Sequence, residues 1–130
     1  MIQPNELRIG NWVYDSKYTQ YPMQVVLIGS DYVYLDFEGN EGDVWECDCK
    51  EIVPIPLNEE LLAKCMFSEY EFEDDIFLHD EEDVCVQKSG KVYYPYSFEN
   101  SDTIGTPIRY LHQLQNLFFA LTGKELEIKL

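Results

Sequence analysis

Positive charge is scarce in this chain. Nine of its 130 residues are lysine or arginine, against 25 aspartates and glutamates, giving a formal net charge of −16. Nucleic-acid backbones are held by clustered Lys and Arg, so direct binding of DNA or RNA is disfavoured, and so is an anionic membrane surface. Long apolar runs are also missing. VVLIG (25–29) and LFFAL (117–121) fall far short of the roughly 18 residues of a membrane span. The start, MIQPNELR, has no basic stretch followed by an apolar one, so no secretion signal is expected and the chain reads as cytoplasmic.

Metal-ligand spacings and catalytic signatures are absent as well. The four cysteines (Cys47, Cys49, Cys65, Cys85) and two histidines (His79, His112) form no C-x-x-C or H-x-x-x-H pair, so neither a metal site nor a cofactor is expected. Without a secretory context the thiols should be free. In VWECDC, alternation places Trp45, Cys47 and Cys49 on one strand face, where cysteine behaves as a small buried hydrophobe. DFEGNEGDVWEC (36–47) imitates a calcium loop at Asp36, Glu38 and Asn40. It fails where glycine is needed, at Glu41, and where a bidentate glutamate is needed, at Cys47, so it reads as a hairpin tip. Asp48-Cys49-Lys50 and Glu127-Ile128-Lys129 have the Glu/Asp-x-Lys pattern of metal nucleases but no placed partner acid, and read as surface pairs. No Walker loop, GxGxxG or GxSxG occurs. Cysteine–histidine nucleophilic catalysis stays open, with no residue pattern pointing to it. No catalytic residue is assigned, and the chain is expected not to be an enzyme.

What is present is a folded, aromatic-rich domain: 45% hydrophobic and 15% aromatic residues. At this length it forms one compact unit or two small subdomains. The first half reads as β, with RIGNWVYD (8–15), MQVVLI (23–28), DYVYLDF (31–37) and VWECDCKEI (44–52) rich in β-branched and aromatic residues. Gly29-Ser30 makes a tight turn, EGNEGD (38–43) a longer one and YTQYP (18–22) the first loop. Strands this short and numerous suggest a small SH3-like β-barrel over residues 1–56, because closure removes sheet edges.

Residues 57–130 read as an α+β subdomain. PLNEELLAKCMF starts a short helix capped by Asn58, with Glu59 and Glu60 in its first turn. Residues 68–98 read as an antiparallel meander turning at Ser89-Gly90, with Pro95 assigned to an edge or bulge. In TPIRYLHQLQNLFFALTG, Thr106 is the expected cap, Pro107 the first helical residue and Gly123 the end. Leu111, Leu114, Phe118 and Leu121 form the apolar stripe, and ELEIKL a final strand. The fold class is therefore α+β: an N-terminal SH3-like small barrel followed by an antiparallel meander packed with two helices.

Two surfaces stand out. Residues 36–83 carry 18 of the 25 acidic side chains, and the densest run contains Glu69, Glu71, Glu73, Asp74, Asp75, Asp80, Glu81, Glu82 and Asp83. Such a run either solubilises or imitates the DNA backbone, whose charge spacing is about 1.7 Å per charge along the axis. The second is the uncharged polar face of the last helix. There Arg109, His112, Gln113 and Asn116, with Gln115 at the margin, make a candidate docking face, since amides desolvate more cheaply than charges.

NELRIGNWV (5–13), VPIPLNEELLAKCMF (53–67) and YLHQLQNLFFALTGKELEI (110–128) together resemble a family of small proteins from the genomes of gut anaerobes and their prophages and phages. Members of that family begin with an LRIGN-like strand, carry a PIPLTEE-like helix start and end in a VHQLQNLYFALTG-like helix. Here Asn58 stands where Thr is usual and Leu111 where Val is usual. The acidic 69–83 stretch falls in the variable middle. The resemblance implies a mobile-element role and no activity. The leading expectation is a non-enzymatic accessory factor that binds a protein partner, a basic one being the kind the charge favours. The alternatives are an acidic nucleic-acid mimic inhibiting a host DNA- or RNA-binding or defence protein, and a small-ligand or nucleotide-sequestering protein that stacks ligands on Tyr93, Tyr94 and Tyr96.

Overall fold

Alternating β-branched and aromatic residues set the strands of the first unit. A computed structural model describes residues 2–43 and 45–130, and the chain divides into two units: Met1–Pro56 with Tyr110–Asn116, and Leu57–Arg109 with Leu117–Leu130. The second unit's expected range (57–130) loses residues 110–116 to the first.

In the first unit, β1 (Trp12–Asp15), β2 (Met23–Ile28), β3 (Tyr32–Asp36), β4 (Trp45–Asp48) and β5 (Ile52–Val53) form one antiparallel sheet in the order β4-β3-β2-β1-β5. This sheet curls into a half-barrel. Val13, Met23, Val25, Val33, Leu35, Cys47, Cys49 and Ile52 fill its core. A register shift between Val25 and Leu27 opposite β3 turns Val26 and Leu27 outward, where they are exposed. The predicted 44–52 strand is interrupted. Asp48 accepts the Lys50 N–H at 2.9 Å and starts a 3₁₀ turn, Cys49–Glu51, before β5 pairs with β1. Cys47 and Cys49 are buried as alternation predicted, while Val44 lies outside the described residues.

The first predicted strand begins late, at Trp12 rather than at residue 8. Residues 8–11 instead form a turn. The Asn11 side chain accepts the Arg8 N–H at 2.6 Å, and Gly10 adopts φ 100°, a conformation glycine reaches without steric cost.

The second unit has a sheet in pure meander order, β10-β9-β8-β7-β6. Its strands are β6 (Phe67–Glu69), β7 (Ile76–His79), β8 (Cys85–Ser89), β9 (Val92–Ser97) and β10 (Asp102–Thr103). Helix α1 (Glu59–Lys64) precedes it, and Asn58 caps that helix as predicted, accepting the Leu61 N–H at 2.7 Å. Leu61, Leu62, Cys65, Phe67, Ile76, Val86, Tyr93 and Phe118 are buried. Pro95 is not on the edge. It lies in β9 between β8 and the two-residue β10, and its carbonyl accepts from Ile104 N–H at 2.7 Å.

Helix α2 (Leu111–Thr122) starts four residues later than Pro107 suggested, because Ile108 is committed to an extended bridge with Tyr93. Leu111, Leu114 and Phe118 are buried as expected, whereas Leu121, the fourth member of the predicted stripe, is 56% exposed. Gly123 ends the helix at φ 71°, its N–H bonded to the Phe119 carbonyl. ELEIKL forms no strand: Leu126 is buried, Ile128 is half-buried and Leu130 is exposed. The whole is a mixed α+β architecture of two antiparallel sheets and two helices.

Candidate functional site

The polar face of α2 is largely an inward face. Gln115, 2% exposed, uses both ends of its amide on the backbone of the N-terminal segment. Its Oε1 accepts the Trp12 N–H at 2.8 Å, and its Nε2 donates to the Gly10 carbonyl at 2.9 Å. The side chain thus acts as a peptide group would, pairing the backbone on either side of Asn11. One position on, Asn116 Oδ1 accepts from Asn11 Nδ2 (2.9 Å) and from an Arg8 guanidinium nitrogen (3.2 Å), while Asn116 Nδ2 donates to the Glu6 carbonyl at 2.9 Å. Asn11 is completely buried. The LRIGNW segment and the HQLQN segment therefore form one hydrogen-bonded unit.

This corrects the expected docking face. His112 is 1% exposed and lies beside Tyr110 with ring centroids 6.0 Å apart and planes nearly parallel. Burial pushes its pKa down, opposed in part by Glu6, whose carboxylate lies 3.9 Å from Nε2. Neither His112 nitrogen has a hydrogen-bond partner among the described residues. Gln113, half-buried, accepts the Tyr110 N–H through Oε1 at 3.2 Å, the glutamine half of a capping box. Arg109 is exposed and precedes the helix. The four residues are not displayed together. A helical wheel shows which residues share a face but not whether another segment covers it, and here residues 6–12 do.

The acidic run lies at the surface. Glu69, Glu71, Glu73, Asp74, Asp75, Asp80, Glu81 and Asp83 are exposed, while Glu82 is half-buried and pairs with Lys124. Its inner framework is His79. The ring is buried edge-on to Phe67, and its Nδ1 accepts the backbone N–H groups of Glu81 (3.2 Å) and Glu82 (3.0 Å), which folds the 80–83 turn.

An aromatic cluster interleaved with these carboxylates was not foreseen. Tyr70 and Phe72 sit in the β6–β7 connection rather than on a strand face, and Tyr96 and Phe98 at the end of β9. The connection bends until Tyr70 meets Phe98 at 5.1 Å between centroids. Tyr70–Phe72 (5.3 Å) and Tyr96–Phe98 (5.2 Å) extend the cluster, every contact edge-on. Phe72 is 74% exposed and Phe98 41%. The β signal of YEFE hid this, because a two-residue period looks the same in a strand and in a loop whose rings face outward. Of the tyrosines considered for ligand stacking, Tyr93 is buried against Phe77 and is unavailable, while Tyr94 and Tyr96 are half-buried.

The thiols are poor candidates for chemistry. Burial raises the pKa of Cys47 and Cys65 to about 12 and that of Cys85 to about 11, and also raises Cys49. All four are free and buried. Among the described residues, no group of three or more His, Cys, Asp or Glu is arranged to hold a metal ion, and no helix is long and apolar enough to cross a membrane.

Two concavities lined by described residues of the first unit stand out. One, of about 540 Å³, is lined by Ile2, Gln3, Pro4, Asp31, Asp48 and Cys49 among others. The other, of about 350 Å³, is lined by Tyr18, Tyr21, Met23, Phe37, Glu38 and Trp45. Its aromatic residues went unnoticed in sequence because they come from three separate segments, the YTQYP loop being the one visible hint. No protein-family model matches this chain, and no curated protein or solved structure matches it, so the functional reading rests on these geometries.

Proposed function

We propose that the protein is a non-enzymatic binding factor that docks a basic protein partner on the aromatic–acidic surface of its second unit. The observation that carries this reading is the exposed Phe72–Phe98 cluster set among Glu69, Glu71, Glu73, Asp74 and Asp75. Aromatic side chains bring large buried area at low entropic cost and dominate interface energetics, while surrounding carboxylates steer and select a cationic partner. The rings already support one another edge-on, which lowers the cost of ordering them on binding. Cysteines held far above neutral pKa fit a binding rather than a nucleophilic role. Free thiols also fit a reducing, cytoplasmic setting, and the three sequence blocks fit a mobile-element origin.

For the first unit we read an SH3-like barrel. Supporting this are the meander of four strands, the 3₁₀ turn before the last strand and the return of β5 to pair with β1. The nucleic-acid mimic is the second reading, favoured by the exposure of eight of the nine acidic residues of the run. The two differ in their apolar content, since a pure charge mimic has no need of Phe72. Capture of partners by the immobilised protein at low and high salt, after nuclease treatment, separates them. A basic partner retained in high salt and lost on Phe72→Ser supports the proposal. A partner lost in high salt but indifferent to Phe72→Ser supports the mimic.

A further inference from the structure

The aromatic recess of the first unit has the chemistry of an organic-cation site. Trp45 makes T-shaped contacts with two rings, Tyr18 at 5.6 Å and 70°, and Phe37 at 5.6 Å and 89°. Tyr21, 57% exposed, adds a fourth ring, buried Met23 lines the same recess, and the exposed Glu38 contributes a carboxylate. The volume of about 350 Å³ lies at the small end of ligand pockets.

Two details select the ligand class. The indole N–H of Trp45 is already donated to Asp15 Oδ2 at 3.1 Å, and Asp15 is only 4% exposed. An aromatic groove that reads polyproline peptides relies on donors such as an indole N–H, and here that donor is spent. Trp45 still lines the recess, and the carboxylate bonded to its N–H makes its ring more electron-rich. Such surfaces, together with Glu38, attract cations whose charge is spread over apolar carbon. A hydrated metal ion or an unmodified ammonium gains less, because it gives up more hydration on entry.

We propose that Tyr18, Tyr21, Phe37 and Trp45, with Glu38, bind an alkylated ammonium group, either a free quaternary ammonium or a methylated lysine side chain. The site is independent of the surface assigned above to the second unit.

The test uses the intact protein labelled with ¹⁵N and follows the indole N–H resonance of Trp45, with that of Trp12 reporting on the fold of the same unit. Choline chloride should shift the Trp45 signal saturably. The neutral carbon isostere of choline should bind about tenfold more weakly, which is about 1.4 kcal/mol. Tyr21→Ala and Glu38→Gln, both at exposed positions, should each weaken choline severalfold while leaving the Trp12 signal in place. A trimethyl-lysine peptide that binds tighter than choline assigns the site to a protein side chain; equal binding assigns it to a free headgroup. The proposal is overturned if the isostere binds as tightly as choline, if no saturable shift occurs, if Tyr21→Ala is without effect, or if a polyproline peptide alone moves the Trp45 signal.

Discussion

Replacing Gln115 with methionine tests whether the amide face of α2 is structural. The change keeps length and approximate volume and removes both hydrogen bonds. Trp12 N–H loses its acceptor in a position where Gln115 itself is 2% exposed, and a buried donor left unpaired costs about 1–3 kcal/mol. The Gly10 carbonyl keeps a second donor, Gln24 Nε2 at 3.1 Å, so its loss is one net hydrogen bond, about 0.5–1.5 kcal/mol. The expected destabilisation is about 2–4 kcal/mol, a large share of the roughly 5–15 kcal/mol typical of a domain. Urea unfolding followed by tryptophan fluorescence should show the midpoint falling by about 1–2 M at unchanged slope, for a slope of about 2 kcal/mol/M. Amide exchange at Trp12 should accelerate more than exchange in β8. If Gln115→Met unfolds within about 0.5 kcal/mol of the parent and Trp12 stays protected, the pairing is incidental and the face returns to being a candidate surface.

Other consequences can be checked with the same preparations. His112 is held below the ordinary imidazole value of 6.5 by burial, so below that pH the unfolded state binds the proton that the native state refuses; stability should be full above pH 6.5 and fall on acidification toward the native pKa, and His112→Leu should flatten the decline in a pH series of urea midpoints. Because neither His112 nitrogen has a hydrogen-bond partner among the described residues, that variant should be near neutral in stability at pH 8. A colorimetric thiol assay at pH 7.5 should find all four cysteines slow in the native protein and fast in denaturant, since burial holds every one above its ordinary pKa. Asn58→Ala should cost about 1 kcal/mol by removing the cap of α1, and Asn58→Asp should cost little, both read by thermal unfolding.

Local chemistry was legible wherever it is self-contained. Asn58 announced a cap because the cap bonds within its own helix, and Gly123 announced a stop because only a left-handed residue was needed there. Alternation located β2 and β3 to within a residue and gave the buried sides of Cys47 and Cys49. It failed where a distant partner decides. Pro107 is a good first helical residue, yet the Ile108–Tyr93 bridge holds that stretch extended. Gln115 and Asn116 look like solvent residues on a helical wheel, but their partners lie more than 100 positions earlier. Tyr18, Phe37 and Trp45 meet only after three strands have paired, so no spacing rule links them.

The binding role is proposed for the aromatic–acidic surface, while the amides of α2 are committed to the fold. Side-by-side capture with the parent protein, Phe72→Ser/Phe98→Ser and Asn116→Ala at matched concentration tests it most directly. The double variant should stay folded and lose the proposed basic partner, while Asn116→Ala should be less stable yet retain that partner below its melting temperature. Retention by the double variant together with loss by folded Asn116→Ala would contradict it and return the docking role to the helix.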